Sequence, residues 1–428
     1  MGRLSRSGRI VVIGGGVIGV TTAVSLARRG AQVMLIERAN SLAEGASARN
    51  GGQLSYCYTD ALPTASLLRD LPRLAAGLDP AFRIHANASP RFLGWIARFL
   101  MNCTASRWAA NTLAVLRLAL QSRAAMAMLR QRHPALEFKH SASGKVHLYD
   151  DPAKLLGARS AMQIKSPFGC EQRILSFDEL IAIEPALAAS RPGIVGAVYS
   201  PLDEAGDSCQ FTQTLAALSS REDGLDVRTG VTASSFVVEK RSVRALRTSA
   251  GEIEADRFVL AAGCASPALA RTAGFTLPVH PMKGYSITLP ATRDSPVVSI
   301  TDTRAKIVFC RLQDEVRIAG MAELGGASLK VDRRRIDVLL QAARACLPKA
   351  ADWSAPPAAW SGLRPMTPDS RPIVSATRLT NLFVNCGHGM LGWTLACGSA
   401  ELAADLVLQP TPAADARSNA LDFSLARF

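Results

Sequence analysis

The sequence predicts an α/β protein in which a Rossmann-like domain is interleaved with an α+β domain built on an antiparallel sheet. Three observations predict it. A β-α-β unit opens the chain, with Gly14-Gly15-Gly16-Val17-Ile18-Gly19 between its first strand and its helix. Apolar runs suited to buried parallel strands recur at 257–263 and 382–385, far from the first pair in the chain. Between them, 280–320 alternates apolar and polar residues as antiparallel strands do. The pieces of one domain therefore lie at both ends and in the middle. Residues 1–80, 200–275 and 355–428 are assigned to the nucleotide-binding domain, and 81–199 and 276–354 to the other.

Arg9-Ile10-Val11-Val12-Ile13 is a β-branched run suited to a buried strand. Residues 20–29 read as a helix closed by Gly30, and 31–36 as a second apolar strand ended by Glu37. Residues 41–53 are loop-like. A largely helical, arginine-rich region spans 61–136, and 145–200 reads as short strands and turns. Residues 211–220 form a helix capped by Asp207 or Ser208, whose side chains accept from first-turn amides. Residues 225–231 and 236–248 are strands, the latter part of a hairpin. An amphipathic helix covers 336–346. A glycine-rich turn at 387–392 leads into a helix over 393–408.

The chain has 428 residues, enough for two or three domains. With 48% hydrophobic and 20% charged residues its balance is globular, which excludes a disordered chain. The nine cysteines are scattered, odd in number and never spaced C-x-x-C. That argues against a disulfide framework and a zinc site, and for a reducing, cytoplasmic setting. The first nine residues do not read as a secretory leader, and no 18-residue apolar run is present. The net charge of +14 is concentrated: between Pro80 and Leu136 there are eight arginines and no acidic residue. Within it, Arg91 and Arg98 sit seven apart on a helix rich in Phe92, Trp95 and Phe99. This is either a domain helix with a solvated arginine face, or a basic amphipathic helix lying on an anionic membrane surface. No nucleic-acid-binding motif accompanies the charge.

Gly14, Gly16 and Gly19 fit the dinucleotide fingerprint: a tight turn, a close backbone approach to pyrophosphate, and close helix–strand packing. Glu37, followed by Arg38, stands 18 residues after Gly19, where a carboxylate accepts from ribose hydroxyls. The fingerprint alone does not separate NAD from FAD. Two more glycine-rich turns, at 47–53 and 387–393, supply what a flavin needs in addition, the second again entering a helix.

Lys283-Gly284-Tyr285-Ser286, Trp360-Ser361-Gly362-Leu363-Arg364-Pro365-Met366-Thr367-Pro368-Asp369 and Gly387-His388-Gly389-Met390-Leu391-Gly392-Trp393-Thr394 carry a resemblance. With Asp203-Glu204-Ala205-Gly206-Asp207 and Gly320-Met321-Ala322-Glu323, the chain from Arg9 onward resembles the bacterial D-amino acid dehydrogenase small subunits. These belong to the D-amino acid oxidase, glycine oxidase and sarcosine oxidase superfamily. The resemblance implies FAD, contacted by Gly14, Gly16, Val17, Ile18, Gly19, Glu37 and Arg38. Further contacts are implied at Ser47, Ala48, Asn50, Gly51, Gly52 and Gln53, then at Val231, Ala262 and Gly263. The last set is Gly387, His388, Gly389, Leu391, Gly392, Trp393 and Thr394. Arg364 corresponds to the arginine that clamps the substrate carboxylate, for which a planar guanidinium is suited; the alternative is a pairing with Asp369. Tyr285 would assist the same carboxylate or be a core tyrosine. His388 would donate to the flavin O2 or order its turn. The sarcosine-oxidase relatives attach FAD to a cysteine; the matching Gly362-Leu363-Arg364 has none, which implies non-covalent FAD. Where the dehydrogenases often show Asn-Ala-Gly-Gln, this chain has Asn50-Gly51-Gly52-Gln53, preceded by Arg49 near the expected pyrophosphate.

The implied reaction is oxidative deamination of D-amino acids to 2-oxo acids and ammonia by hydride transfer to flavin N5. Electrons would pass to a quinone or another respiratory acceptor, and the arginine block would rest on the inner face of the cell membrane. A second reading keeps the fold and changes the substrate to a secondary amino acid such as D-hydroxyproline, sarcosine or an opine, with the chain as one subunit of a complex.

Overall fold

The computed structural model describes residues 8–408 and 421–428. Residues 1–7 and 409–420, which fall in the outer segments assigned above to the nucleotide-binding domain, lie outside the described residues.

Apolar strands from four distant parts of the chain build a six-stranded sheet. Its order is Ile373–Ala376, Leu382–Cys386, Arg257–Leu260, Arg9–Ile13, Gln32–Ile36, Asp226–Arg228. All neighbours are parallel except the first pair. Its central strands are buried on both faces, which is why their sequences are continuous apolar runs. One face is covered by helices Val17–Arg28, Ser208–Glu222 and Gly392–Leu408. The other packs on helix Ser266–Thr272 and on a small antiparallel sheet, Ala233–Glu239, Ser242–Thr248 and Gly251–Glu254. The stretch read as one strand over 236–248 is thus two, turned at Lys240, whose φ is 54°. Gly19 is required by contact: a Cβ there would stand 1.7 Å from the Gly14 carbonyl oxygen.

The second sheet has nine strands. Its main order is Ala358–Met366, His280–Pro290, Glu315–Leu324, Ile307–Leu312, Ser299–Asp302, Lys145–Tyr149, Gly196–Ser200, Arg173–Leu175. Phe82–Ile84 pairs beside the end of Glu315–Leu324. Alternation puts Tyr285, Ile287 and Ile318 under the covering helix Arg333–Cys346, together with Ile336 and Leu339. Met282, Gly284, Ser286, Arg364 and Ala319 share the opposite face by register. A buried ion pair between Asp207 and Arg317 at 3.0 Å ties the sheets together, and Asp207 also caps Ser208–Glu222.

The arginine-rich region holds helices Ala65–Ala75, Pro90–Met101 and Ala105–Arg132. In Pro90–Met101, Phe92, Trp95 and Phe99 are buried while Arg91 and Arg98 stay exposed. The Trp95 indole nitrogen donates to the Met366 carbonyl at 3.0 Å. The aromatic residues offered above to a membrane are therefore spent inside the protein. Residues 105–132 and 389–408 are long and apolar enough for a membrane span by composition, yet both are more than half buried here. They pack closely on one another: a Cβ at Gly398 would meet the Leu118 carbonyl oxygen at 2.7 Å. The strand-and-turn reading of 145–200 missed helix Pro152–Lys165. Its start is signalled by Asp151-Pro152, but only Ala161 and Lys165 are buried, so there is no apolar stripe to read.

Candidate active site

A cavity of about 1890 Å³ is bordered by residues of both sheets and gathers most of the residues singled out above. Gly14, Gly16, Val17, Ile18, Glu37, Arg38, Ser47, Asn50, Gly51, Gly52 and Gln53 border it. So do Val231, Ala262, Gly263, His388, Gly389, Leu391, Gly392 and Trp393. At the glycine fingerprint, helix Val17–Arg28 starts at Gly16 without a side chain capping it from that position. Ser47 Oγ accepts from Val17 N at 3.0 Å, and the other first-turn amides face the site with the helix's partial positive charge. Glu37 is held rigidly, one carboxylate oxygen accepting from Gly15 N at 2.6 Å and the other from Ala39 N at 2.9 Å. Each oxygen keeps a second lone pair for a hydroxyl donor.

The 47–53 loop is clamped between the sheets. Asn50 Nδ2 donates to Ser208 Oγ at 2.7 Å, and Gln53 Nε2 donates to the Ile300 and Phe309 carbonyls. Ser286 Oγ donates to the Arg49 carbonyl at 2.7 Å. These side chains position the loop. Trp393 is anchored likewise, its indole nitrogen donating to the Gly206 carbonyl at 3.1 Å.

Arg364 stands in the cavity wall with no carboxylate partner among the described residues. Its Nη1 donates to the Met321 carbonyl at 3.1 Å, and its guanidinium lies flat against Gly284, where a Cβ would be 2.2 Å from Nη2. Burial pulls its pKa down to about 10, which leaves it charged at neutral pH. The pairing with Asp369 is ruled out. Asp369 is taken by Arg427 at 2.7 Å and Arg371 at 3.2 Å. Met321 adopts a left-handed φ of 59°, which costs a non-glycine residue energy and recurs where a structure must aim a group.

His388 is buried, with Nε2 3.0 Å from Ser399 Oγ, while Ser399 Oγ itself donates to the Ala396 carbonyl. Nδ1 has no partner among the described residues. Burial pushes the pKa down to about 3, so the ring is neutral and has one donor and one acceptor nitrogen.

Two expectations are corrected. Tyr285 touches the cavity wall, but its ring lies beneath Lys283 Nζ and its hydroxyl donates to Glu323 Oε1 at 3.1 Å. It belongs to the helix-covered face of the strand that carries Gly284 on the other side, so it cannot reach a carboxylate on Arg364. Thr394 does not border the cavity; its hydroxyl accepts from Ser55 N at 2.9 Å. Gly19, Ala48 and Gly387 also stand behind the wall.

Three groups escaped the sequence reading. Cys264 borders the cavity, with its sulfur 3.7 Å from the Leu363 carbonyl, although it is 99 residues away in the chain. Burial pushes its thiol up to about 12, so it stays protonated and a poor nucleophile. Lys145 is buried at the wall, donating to Ser55 Oγ at 2.8 Å with its ammonium over the Tyr58 ring. Desolvation lowers its pKa to about 8. The third is the aromatic trio Phe92, Trp95 and Phe99. A lysine inside an apolar strand was the one visible signal among these.

The profile of the FAD dependent oxidoreductase family matches residues 9–406. This chain belongs to that family. An FAD-dependent oxidoreductase needs a wall of backbone amides for pyrophosphate, an acid for the ribose and a flat slot beyond them. The first-turn amides beyond Val17, the Glu37 carboxylate, and the cavity between the glycine turns fit that group. Among relatives of this oxidoreductase, "D-amino acid dehydrogenase 2" of Ralstonia nicotianae is 40% identical over 422 residues, covering 96% of this chain and 99% of its own. A "D-amino acid dehydrogenase" of Paramagnetospirillum magneticum is 40% identical over 403 residues, covering 93% and 94%. The fold is shared with the solved structure of glycine oxidase from Geobacillus kaustophilus, with a TM-score of 0.76, 22% identity and coverage of 98% and 99%. It is also shared with L-amino acid deaminase from Proteus vulgaris, with a TM-score of 0.75, 18% identity and coverage of 100% and 99%.

Proposed function

We propose that this chain oxidises D-amino acids to the 2-oxo acid and ammonia and passes the electrons to a quinone or another respiratory acceptor. The observation that carries the reading is Arg364, a cation without a counter-ion among the described residues in the wall of an FAD cavity. A desolvated guanidinium left unpaired is costly, and a carboxylate arriving in two parallel charge-assisted hydrogen bonds relieves that cost. Two relatives at 40% identity named D-amino acid dehydrogenases support the substrate class.

FAD, when bound, takes up the α-hydrogen and two electrons of the substrate. The first-turn amides beyond Val17, the Glu37 carboxylate and the glycine turns at 51–52 and 389–392 would hold it. Arg364 binds and orients the substrate, and Gly284 and the Met321 carbonyl fix the guanidinium's plane. Orientation supplies much of such a reaction's acceleration, so a dedicated base is not required. Substrate amine must be unprotonated to give up the α-hydrogen with its electron pair; a neutral His388 and the apolar wall favour that form. Cys264, held as a thiol, supports a cofactor bound without a covalent link. A membrane contact would rest on exposed arginines such as Arg91, Arg98 and Arg107, and sedimentation with anionic liposomes at low salt measures it.

Anaerobic mixing of the purified yellow protein with a panel of D- and L-amino acids tests the reading. Bleaching of the flavin absorbance by D but not L isomers is expected. Bleaching by L isomers alone, or by sarcosine and hydroxyproline but no primary amino acid, refutes it.

A further inference from the structure

Beyond Arg364 the cavity opens into a compartment with an unusually uniform wall. Phe92, Trp95 and Phe99 from helix Pro90–Met101 meet Met282, Leu324 and Leu62 in one apolar cluster, and all six border the cavity. Register places this compartment beside the carboxylate-binding group. Met282 is the direct cross-strand partner of Arg364, and both lie on the cavity face of the large sheet. The one polar atom of the aromatic trio, the Trp95 indole N–H, is already spent on the Met366 carbonyl. Met366 belongs to the same cluster, so the indole is pinned with its apolar face toward its neighbours.

Several of the charged residues that border the cavity are distant from Arg364, already paired or exposed. Lys145 lies on a strand separated from that of Arg364 by four others. Asp60 is paired with Lys165 at 3.3 Å, and Lys306 with Asp79. Asp70 is exposed on helix Ala65–Ala75. A substrate side chain entering the compartment thus meets dispersion contacts and loses its water, and a charged one would lose its water without gaining a partner.

We infer that this compartment is the side-chain subsite, and that it selects D-amino acids with large apolar or aromatic side chains, with Trp95 as a specificity-determining residue. The inference rests on Arg364 holding the substrate carboxylate. A clamped carboxylate fixes Cα within a few ångströms of the guanidinium, and Met282 lies two residues along the same strand face from Gly284, against which the guanidinium rests.

Steady-state measurement with an artificial dye acceptor tests it on the wild-type protein and on Trp95→Ala. In the wild type, kcat/KM for D-phenylalanine and D-leucine should exceed that for D-alanine by about 10-fold or more, and that for D-glutamate and D-lysine by more than that. In Trp95→Ala, D-phenylalanine should lose about 10-fold while D-alanine stays within about threefold, at unchanged flavin content. Wild-type preference for D-alanine or for charged substrates overturns the inference and leaves the D-amino acid reading intact. Absence of turnover with every D-amino acid overturns that reading instead. A third outcome reveals a different occupant: a raised KM for a short-chain ubiquinone in Trp95→Ala, with amino acid KM values unchanged, would assign the compartment to the electron acceptor and sink the proposal. Should Trp95→Ala lose its flavin, the wild-type substrate ranking alone decides.

Discussion

Replacing Arg364 by methionine separates a binding residue from a structural one, because the two roles predict opposite changes in stability. Among the described residues, Arg364 gives one hydrogen bond to the protein, to the Met321 carbonyl, and has no ion-pair partner. Burial lowers its pKa from the ordinary guanidinium range to about 10, and at about 1.4 kcal/mol per pH unit that corresponds to ~3 kcal/mol of desolvation. Losing the charge relieves up to this amount, and losing one hydrogen bond to a charged group costs about 1.5–3 kcal/mol. Arg364→Met should therefore change stability little, within about 2 kcal/mol of zero. Its effect on substrate should be large. Two charge-assisted bonds to a carboxylate are worth about 3–6 kcal/mol, or roughly 100- to 10,000-fold in kcat/KM. The assay is thermal unfolding followed by flavin fluorescence, with and without a saturating D-amino acid, beside steady-state rates. Wild type should gain thermal stability on adding substrate and the variant should gain none, while the unliganded Tm values agree within a few degrees. A variant that melts far below wild type yet keeps its KM would refute the reasoning and make Arg364 a structural residue.

Gly284→Ala places a Cβ 2.2 Å from Arg364 Nη2, so the guanidinium must move; substrate KM should rise at least 10-fold with flavin content retained, read by absorbance and steady-state kinetics. Tyr285→Phe removes the hydroxyl on Glu323 from the helix-covered face and should cost about 1 kcal/mol in urea unfolding without altering KM, whereas a raised KM would return Tyr285 to the site. His388 is neutral when folded, with a pKa near 3 against about 6.5 unfolded, so the unfolded state binds the extra proton as pH falls below 6.5. Its share of stability is complete above that pH and falls by about 2 kcal/mol at pH 5; His388→Gln should show a smaller loss between pH 7.5 and 5 in chemical denaturation.

The sequence alone determined the nucleotide-binding half of this protein. A glycine where any Cβ would meet a carbonyl oxygen at 1.7 Å, a strand buried on both faces and an acid at a strand end are local demands, and each leaves a mark in the neighbouring residues. Arg364 was singled out through a resemblance carried by a contiguous motif, and it does border the cavity. What tertiary structure decided is which face each side chain takes and what stands opposite. Tyr285 and Gly284 are adjacent in a motif, yet strand alternation sends one beneath a helix and the other beneath the arginine. The choice between the two faces depends on helix Arg333–Cys346, about 50 residues further on. Cys264 reaches Leu363, and Phe92, Trp95 and Phe99 reach Met282, only in the folded chain, where segments far apart in sequence meet at one cavity. Those aromatic residues read equally well as a surface stripe, since periodicity records that a helix has an apolar side and carries no information about what that side meets.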